Sequence, residues 1–307
     1  MATSTLPHAV PLAEVFIPSR DRALQLDGTL HSFRRQCSDA GRARIAVLFR
    51  ATSRSHRKAY QILARDHPDV SMVEERSFAD DASRLLGAHE SRSYPRGTKP
   101  RPEVAMGETT MLVVDDTLFV QPFTLESITS ALSEDPEALG FSLRLGETIR
   151  FCQPRDVASP PPTLSHASGI GASEIVSYCW NKLEPDWGYP LELSSSLYRR
   201  RHLATLVRET SFDSPTTLEH ELWLKSASLV DHGRLLCYRR PRAVSLALNR
   251  VQSTAPNPIS GHSRHDPSHL LADYLEGWRI DVTAYDGFTP HACHEEAELI
   301  LARSARL

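Results

Sequence analysis

The chain has few of the features that mark specialised classes of protein. Its five cysteines are widely separated and form no Cys-x-x-Cys pair, which argues against a disulfide framework or a cysteine-based zinc site. No apolar run approaches the ~18 residues that a membrane span needs. The N-terminal segment lacks the basic start and apolar stretch of a signal peptide. These absences predict a cytoplasmic protein without an integral membrane segment.

A strong excess of either charge is also missing. The net charge is -3, with 24% charged and 40% hydrophobic residues, as in an ordinary globular protein. This balance gives no reason to expect nucleic acid as a partner. The 307 residues can bury a large core, either as one sizeable α/β domain or as two smaller ones, and they contain no internal repeat.

The first half of the chain alternates strand and helix patterns. Short apolar runs predict strands at 13–17, 45–49, 70–73 and 111–114. Helical spacing and capping residues predict helices at 21–37, 55–66, 78–86 and 124–132. We expect Pro18 to end the first strand, and Ser55 and Thr124 to cap helices. This alternation predicts an α/β fold with a mainly parallel sheet covered by helices on both faces.

Two proline-rich segments interrupt this pattern. Residues 91–102 are basic, and an exposed loop is favoured over an anion-binding patch. Residues 153–171 are either a mobile lid over a site or a surface connection. Because the alternation ends there, we divide the chain into residues 1–150 and 151–307, as two halves of one continuous domain.

The second half is less regular. It contains predicted strands at 191–198 and 243–251 and predicted helices at 217–229 and 266–278, the last opened by Asp266 as the cap. The remainder, 279–307, predicts a short strand and a final helix.

The sequence Val113-Val114-Asp115-Asp116 is the most informative motif. Two adjacent carboxylates at the end of an apolar strand repel each other unless a cation lies beside them, and Mg²⁺ and Mn²⁺ prefer oxygen ligands of this kind. Asp is also a common turn residue, so a plain surface turn is the alternative. Ligands of parallel sheets collect at the carboxyl ends of the strands, which favours the metal site.

Three segments together resemble a known family. They are EVFIPSRDRALQLDGTLHSF at 14–33, VVDD at 113–116, and SSLYRRRHL at 195–203 followed by FDSPTTLEHEL at 212–222. In this order and spacing they resemble the GT-A glycosyltransferases, particularly family two. The match departs from that pattern at 49–52 (FRAT), where many relatives have an aspartate that contacts the nucleotide base. It departs again at Asp-Asp-Thr, which replaces Asp-x-Asp.

The resemblance implies a GT-A-type, Rossmann-like sheet with an irregular acceptor-side region at the C-terminus. Residues 1–150 would bind the nucleotide sugar and 151–307 the acceptor. The implied reaction moves a sugar from a nucleoside diphosphate donor, with UDP favoured, to a hydroxyl of a glycan, small molecule or natural product. It would need Mn²⁺ or Mg²⁺ and would invert the sugar carbon. The alternatives are a catalytically silent sugar-nucleotide-binding scaffold and a sugar nucleotidyltransferase, although 18–22 lacks the latter's glycines.

The resemblance also assigns donor-side residues. Candidates for nucleotide binding are Pro18, Ser19, Arg20, Arg22 and Asp115. Asp115 and Asp116 would hold the metal, with Asp116 as the more secure direct ligand. A third ligand in relatives is commonly a C-terminal histidine, here His291 or His294, of which we prefer His291. A plain surface histidine and a plain exposed Arg20 are the alternatives.

On the acceptor side, Glu219 is the candidate catalytic base, with Glu221 and Asp186 as second choices. An acidic residue in a first helical turn is also favoured by the helix dipole alone. Asp186, Trp187 and Tyr189 are candidates for acceptor binding, because aromatic rings suit sugar faces, although core packing explains large aromatics more often. A further cluster reads as a solvated loop rather than a zinc site, and it comprises His262, His265 and His269.

Overall fold

The computed structural model describes residues 10–88, 107–166, 174–183, 185–249 and 265–303. The helices are α1 (Ala23–Gln36), α2 (Arg54–Asp66), α3 (Phe78–Leu85), α4 (Leu125–Glu134), α5 (Arg200–Arg208), α6 (Pro215–Ser226) and α7 (Pro267–Leu275). The strands of the first half are β1 (Ala13–Arg20), β2 (Ala43–Arg50), β3 (Ser71–Glu74), β4 (Thr109–Leu112), β5 (Thr117–Phe119) and β6 (Ala138–Ser142). Those of the second half are β7 (Phe151–Cys152), β8 (Val157–Ala158), β9 (Ser165–His166), β10 (Ile175–Cys179), β11 (Ser196–Arg199), β12 (Arg234–Tyr238), β13 (Ala243–Leu246), β14 (Trp278–Ile280), β15 (His294–Glu295) and β16 (Leu301–Arg303).

A nine-stranded sheet forms the centre of the fold, in the order β3-β2-β1-β4-β11-β6-β12-β10-β9. Strands β3, β2, β1 and β4 are all parallel, as is the pair β6 and β12. The second half adds antiparallel neighbours, because β11 lies between β4 and β6, and β10 and β9 extend the far edge. The predicted α/β fold with a large, mainly parallel central sheet is confirmed.

Hydrophobic cores cover both faces of this sheet. Along β1, Val15 and Ile17 belong to one buried cluster and Phe16 to the other, as expected where successive side chains point to opposite faces. The first cluster includes Leu26 and Leu30 of α1, and the second includes side chains of α3, α5 and α6. Burial on both faces explains why β1 reads as a continuous apolar run rather than an alternating one.

Strand β1 does not end at Pro18, as we predicted, but continues to Arg20. Its register with β2 covers the whole strand, whereas its register with β4 stops at Phe16. Phe16 carbonyl oxygen accepts from Val113 on the β4 side, so Pro18, two residues on, presents its backbone to that same side. Among the described residues, no strand pairs with Pro18 on that side. Proline has no N–H to donate, so no hydrogen bond between strands is lost there.

Several helix boundaries also differ from the predictions. Ser53, not Ser55, caps α2 by accepting from the amide of His56. Asp21 does not cap α1, because it has a left-handed φ of 56° and its carboxylate accepts from the amide and hydroxyl of Thr52. The caps predicted at Thr124 and Asp266 are present.

The C-terminal predictions are partly wrong. Strand β11 begins only at Ser196, and β13 ends at Leu246. No α-helix occurs in 279–303: the described residues there form short strands and a 3₁₀ turn, Val282–Tyr285.

A second, three-stranded sheet in the order β15-β13-β5 brings the C-terminal segment to the acidic pair. Ser245 of β13 pairs with Thr117 on one side and with His294 on the other. Leu246 N–H donates to the carbonyl oxygen of Asp116 at 2.9 Å. Two strand spacings therefore place the backbones of His294 and Thr117 roughly 10 Å apart.

The remaining organisational predictions have separate outcomes. The basic segment 91–102 lies outside the described residues, as does His262. The central sheet contains strands from both 1–150 and 151–307, and the division between the two halves stays a prediction. In the part of the chain that the structure describes, every helix is too short or too polar to cross a membrane.

Candidate functional site

A cavity of about 480 Å³ opens at the carboxyl ends of the parallel strands. One wall comes from the ends of β1 and β2 and from the acidic pair, and the other from α6 and the segment that precedes β11. Most of the predicted site residues line it, namely Pro18, Ser19, Arg20, Arg22, Asp115, Asp116, Asp186, Tyr189 and Glu219. The fold therefore gathers residues that are up to two hundred positions apart.

Asp115 is held by a relay of hydrogen bonds from β1 and α2. The Ser19 hydroxyl donates to Asp115 Oδ2 at 2.8 Å, so its oxygen is left to accept from Tyr60 OH at 2.7 Å. The amide of Arg22 in turn donates to Tyr60 OH at 3.3 Å. Burial raises the pKa of Asp115, although Arg22 and Ser19 oppose that shift. Asp115 is thus fixed in place before any ligand binds.

Arg22 lies between the two carboxylates. Its Nη1 is 3.1 Å from Asp115 Oδ1 and 2.9 Å from Asp116 Oδ2. The other side of the guanidinium is anchored, because Nε donates to Asn249 Oδ1 at 3.1 Å and Nη2 donates to the Asn249 carbonyl oxygen. The mutual repulsion of the acidic pair is therefore relieved by a cation that the chain itself supplies.

Asp116 is the more open member of the pair, with 17% of its side chain exposed against 7% for Asp115. Burial raises its pKa to about 6; Arg22 opposes this shift and the charge of Asp115 adds to it. A nearby positive charge stabilises the ionised form of such a carboxylate.

Asp116 and His294 both line the cavity and are the candidate ligands for a divalent cation. His294 lines the cavity, and its Nδ1 is buried without a hydrogen-bond partner. Burial lowers the pKa of His294 to about 4, with the charge of Arg144 adding to the shift, so the imidazole is neutral as a ligand must be. Both oxygens of Asp115 are already bonded. Such a cation would therefore draw its other ligands from a bound diphosphate and water, as Mg²⁺ usually does.

The preference for His291 as the third ligand is not supported by its position. His291 is exposed and does not line the cavity, and its amide donates to Glu295 Oε2 at 2.9 Å. The alternation of β15 with its neighbours turns His294 inward instead. We therefore replace His291 by His294 as the candidate.

A second group of possible metal ligands lies away from the cavity. Ligand atoms of Asp27, His31 and His67 come within 4.8 Å of one another. However, Arg34 contacts His67 Nδ1 and Arg279 Nε lies 3.6 Å from Asp27 Oδ2. Two guanidinium groups already supply positive charge, and a ligating histidine usually donates from its second nitrogen rather than accepting. This cluster therefore fits a role in packing α1 rather than metal binding.

Glu219 faces the cavity from α6. Its Oε1 accepts from the amide of Leu193 at 3.0 Å, which fixes the carboxylate. Burial raises the pKa of Glu219, although the Leu193 amide opposes the shift. The helix begins two residues earlier than predicted, with a capping box of Ser214 and Thr217, so Glu219 lies beyond the first turn. The helix dipole stabilises a carboxylate less at that position than at the N-terminus of α6. The dipole alone therefore gives a weaker explanation for the acidic residue at position 219.

A buried arginine lies beneath the acceptor side of the cavity. Arg144 Nη1 is 3.4 Å from Asp186 Oδ1, and its Nε is 3.5 Å from Glu192 Oε1. Arg144 Nη2 and Asp186 Oδ2 are both buried without a hydrogen-bond partner. Arg144 and Asp186 both line the cavity, so this incompletely satisfied ion pair lies at its wall.

The two aromatic residues predicted to stack on the acceptor lie in different environments. Tyr189 lines the cavity and packs against Trp223, with ring centroids 5.9 Å apart. Trp187 is 1% exposed, packs edge-on against Tyr178, and donates from Nε1 to the Ser159 carbonyl oxygen at 3.2 Å. The position of Trp187 therefore does not support its predicted role in acceptor binding, because the ring lies in the core, where it anchors the proline-rich segment.

Sequence reasoning missed several cavity residues. Arg50 and Glu75 lie at the ends of β2 and β3, with Arg50 Nη1 and Glu75 Oε1 3.4 Å apart. The unusual 49–52 segment pointed to Arg50, and a strand-end position could have pointed to Glu75. No local pattern marks Asn249 or Arg144, because their partners lie far away in the sequence.

The fold and the cavity define an α/β protein with its ligand site at the carboxyl edge of the central sheet. No family model matches the chain. Over 265 residues it is 25% identical to the bifunctional glycosyltransferase pgtA of Dictyostelium discoideum, a match that covers 78% of this chain and 32% of that protein. The chain thus spans about a third of the length of this curated relative. The predicted resemblance to glycosyltransferases is confirmed.

Solved structures of glycosyltransferases are similar to parts of this chain. The mannosyltransferase PcManGT from Pyrobaculum calidifontis, in complex with GDP-Man and Mn²⁺, has a TM-score of 0.40 and 14% identity, covering 76% of this chain and 59% of that chain. S. aureus TarS 1-349 in complex with UDP-GlcNAc has a TM-score of 0.46 and 12% identity, covering 89% and 69%. At these scores neither structure identifies a substrate for the present chain.

Proposed function

We propose that this protein is a GT-A-type glycosyltransferase that moves a sugar from a nucleoside diphosphate sugar to an acceptor hydroxyl, with Mn²⁺ or Mg²⁺ and with inversion. The observation that carries the proposal is the shared cavity: the Arg22–Asp115–Asp116 cluster borders it on one side and Glu219 on the other. The glycosyltransferase relative from Dictyostelium supports the same class of reaction.

On the donor side, the diphosphate would lie against Arg20 and Arg22. Guanidinium groups form charge-assisted bonds with phosphate oxygens, and a rigid arginine loses less entropy in forming them. A divalent cation held by Asp116 and His294 supplies Lewis acidity and orients the diphosphate when it is bound. Pro18 and Ser19, at the end of β1, would border the nucleoside, and UDP remains the favoured nucleotide.

On the acceptor side, Glu219 would remove the proton from the attacking hydroxyl. As the hydroxyl oxygen forms a bond to the anomeric carbon, the bond to the diphosphate breaks and the nucleotide leaves. The raised pKa of Glu219 suits a general base, because a base works best with a pKa near the operating pH. Tyr189 and Asp186 would contact the acceptor, whose hydroxyl belongs to a glycan, small molecule or natural product.

The direct test combines ligand binding with turnover. We expect at least one of the UDP-, GDP- and dTDP-sugars to raise the melting temperature when Mn²⁺ is present, since a ligand stabilises the fold according to its concentration relative to Kd. Release of the nucleoside diphosphate in the presence of an acceptor library then reports transfer, and Asp116→Ala should abolish it.

Two results would count against this function. If no sugar nucleotide stabilises the protein with metal present, the donor assignment fails. If a sugar nucleotide binds but wild type and Asp116→Ala release no product with any acceptor, the protein is a silent sugar-nucleotide-binding scaffold instead. The cytoplasmic location stays a prediction in either case.

A further inference from the structure

The acidic pair carries its own positive charge. Arg22 Nη1 lies within 3.1 Å of both carboxylates, and 13% of the Arg22 side chain is exposed. The two carboxylates and one guanidinium leave the cluster with a net charge of minus one. A divalent cation that binds at Asp116 without a nucleotide would change the net charge of the cluster to plus one. A cation that binds together with a diphosphate would not, because the diphosphate adds negative charge.

Arg22 is not free to move away. Its Nε and Nη2 are bonded to the side chain and the carbonyl oxygen of Asn249, respectively. Asn249 is itself 9% exposed, and its Nδ2 donates to the carbonyl oxygen of His265 at 2.9 Å. Gln25 Nε2 also reaches Asn249 Oδ1, at 3.4 Å. This shell holds the guanidinium against the carboxylates without a ligand.

The position of Arg22 sets the environment of a cation that binds Asp116 Oδ2. A metal bound to Asp116 Oδ2 lies about 2.1 Å from that oxygen. Arg22 Nη1 is 2.9 Å from the same oxygen, so the metal and the guanidinium nitrogen are at most about 5 Å apart. Like charges this close in a half-buried site repel each other strongly.

We propose that Arg22 is a resident counter-ion that links metal binding to diphosphate binding. Without a nucleotide, Arg22 satisfies the acidic pair and weakens cation binding at Asp116. A bound diphosphate places negative charge on the side of the cation and of Arg22 that faces away from the acidic pair. The two positive groups, Arg22 and the cation, then lie between two negative ones, the acidic pair and the diphosphate. The nucleotide half of this inference rests on the proposed function, whereas the metal half depends on Arg22 alone.

Linkage of this kind is reciprocal. If UDP or GDP tightens Mn²⁺ binding by some factor, Mn²⁺ must tighten binding of that nucleotide by the same factor, typically about 5- to 150-fold in linked sites. The protein would therefore hold little metal until a donor is present.

The experiment is Mn²⁺ titration followed by electron paramagnetic resonance of the free ion, with and without UDP or GDP and with nucleotide-only blanks. For the wild type we expect Mn²⁺ to bind about tenfold or more weakly without a nucleotide. Arg22→Gln should bind Mn²⁺ alone about tenfold more tightly than wild type and lose most of the linkage. Arg22→Lys, which keeps the charge, should resemble wild type.

Arg20→Gln is the matched control, because it removes a positive charge from the same cavity wall, and Arg20 bonds the Asp115 carboxylate through its backbone, which the substitution keeps. We expect it to leave the affinity for Mn²⁺ alone within about twofold of wild type, far below the ~1.4 kcal/mol that a tenfold change represents. An equal gain in Arg20→Gln and Arg22→Gln would show general electrostatics and overturn the specific role of Arg22.

Two further outcomes are decisive. If wild type and Arg22→Gln bind Mn²⁺ alone equally, the counter-ion role is refuted even if the protein transfers sugar. If neither nucleotide binds the wild type, the proposed function fails, but tighter Mn²⁺ binding by Arg22→Gln still supports the counter-ion. Should Arg22→Gln be too unstable to titrate, Mn²⁺ must raise its melting temperature more than that of wild type, and equal shifts would reject the idea.

Discussion

The two walls of the cavity are built in opposite ways. On the donor side, Ser19, Tyr60, Arg22 and Asp115 form a closed network in which each charged group has a partner. On the acceptor side, Arg144 Nη2 and Asp186 Oδ2 are buried without a hydrogen-bond partner. An unsatisfied buried polar group costs about 1–3 kcal/mol, so an unpaired set concentrated at one wall of a cavity indicates where a ligand or ordered water completes the bonding.

This contrast follows from the elements that carry each wall. The donor side is positioned by β1, β4 and the start of α1, which are parallel or directly connected and rigidly packed. The acceptor side draws single residues from the segment after β6, the segment before β11 and α6. We infer that the donor wall is preorganised and that the acceptor wall gains its last contacts on binding.

The largest effect should come from Glu219→Gln, which keeps the shape of the side chain but cannot accept a proton. We expect kcat to fall by about 10²–10⁴, as general-base catalysis typically contributes, while the KM for the donor stays within about threefold. Steady-state kinetics with a saturating acceptor measures both values.

Glu221→Gln is the control for that change. Residues two apart on a helix do not share a face, and Glu221 does not line the cavity. It should retain most of the wild-type kcat. If both variants lose activity equally, or Glu219→Gln loses none, the base belongs elsewhere and Asp186 becomes the next residue to test.

The next largest effect should be on stability rather than on rate. Arg144→Met leaves the carboxylates of Asp186 and Glu192 buried without their counter-charge. Removing one partner from a buried ion pair typically costs about 3–5 kcal/mol. Urea denaturation of Arg144→Met should show a loss of this size.

Adding Asp186→Asn to Arg144→Met should recover part of the loss, because one of the stranded charges is then removed. A loss below about 1 kcal/mol for Arg144→Met would mean that the acceptor wall is open to water and that its unpaired atoms are already solvated.

The sequence predicted the donor side better than the acceptor side, because the donor side depends more on local sequence patterns. The strand alternation and the acidic pair are local patterns, so the α/β fold and the gathering of Ser19, Arg22 and Asp115 at one edge could be anticipated. The presence of Pro18 inside β1 could not be anticipated, because a strand accepts proline at that position only where β4 no longer pairs with it.

Acceptor-side geometry depends on long-range contacts that a pattern cannot show. His291 and His294 differ by three positions, and only His294, which pairs with β13, lines the cavity. Trp187 and Tyr189 are equally aromatic in sequence, but the Ser159 carbonyl and Tyr178 hold Trp187 in the core. The functional role of each remains a prediction.

A smaller effect should follow from opening the donor network. Tyr60→Phe removes the hydroxyl that donates to Ser19 and accepts from the Arg22 amide. Leaving these buried groups without a partner should cost about 1–2 kcal/mol, seen as a lower urea midpoint with an unchanged m-value. If Tyr60→Phe is neutral, the donor wall is less tightly preorganised than its hydrogen bonds suggest, and the contrast with the acceptor wall weakens.

The smallest effect separates the two aromatics on the acceptor side. Tyr189→Ala removes a ring that lines the cavity, and aromatic contacts are worth about 0.5–1.5 kcal/mol, so the KM for the acceptor should rise about two- to tenfold while the donor KM is unchanged. Trp187→Phe should leave both KM values unchanged but lower the melting temperature, because it loses the bond to Ser159 and leaves space in the core. If Trp187→Phe raised the acceptor KM as much as Tyr189→Ala, the proline-rich segment that Trp187 anchors would itself contact the acceptor, and the acceptor wall would extend beyond the residues placed there.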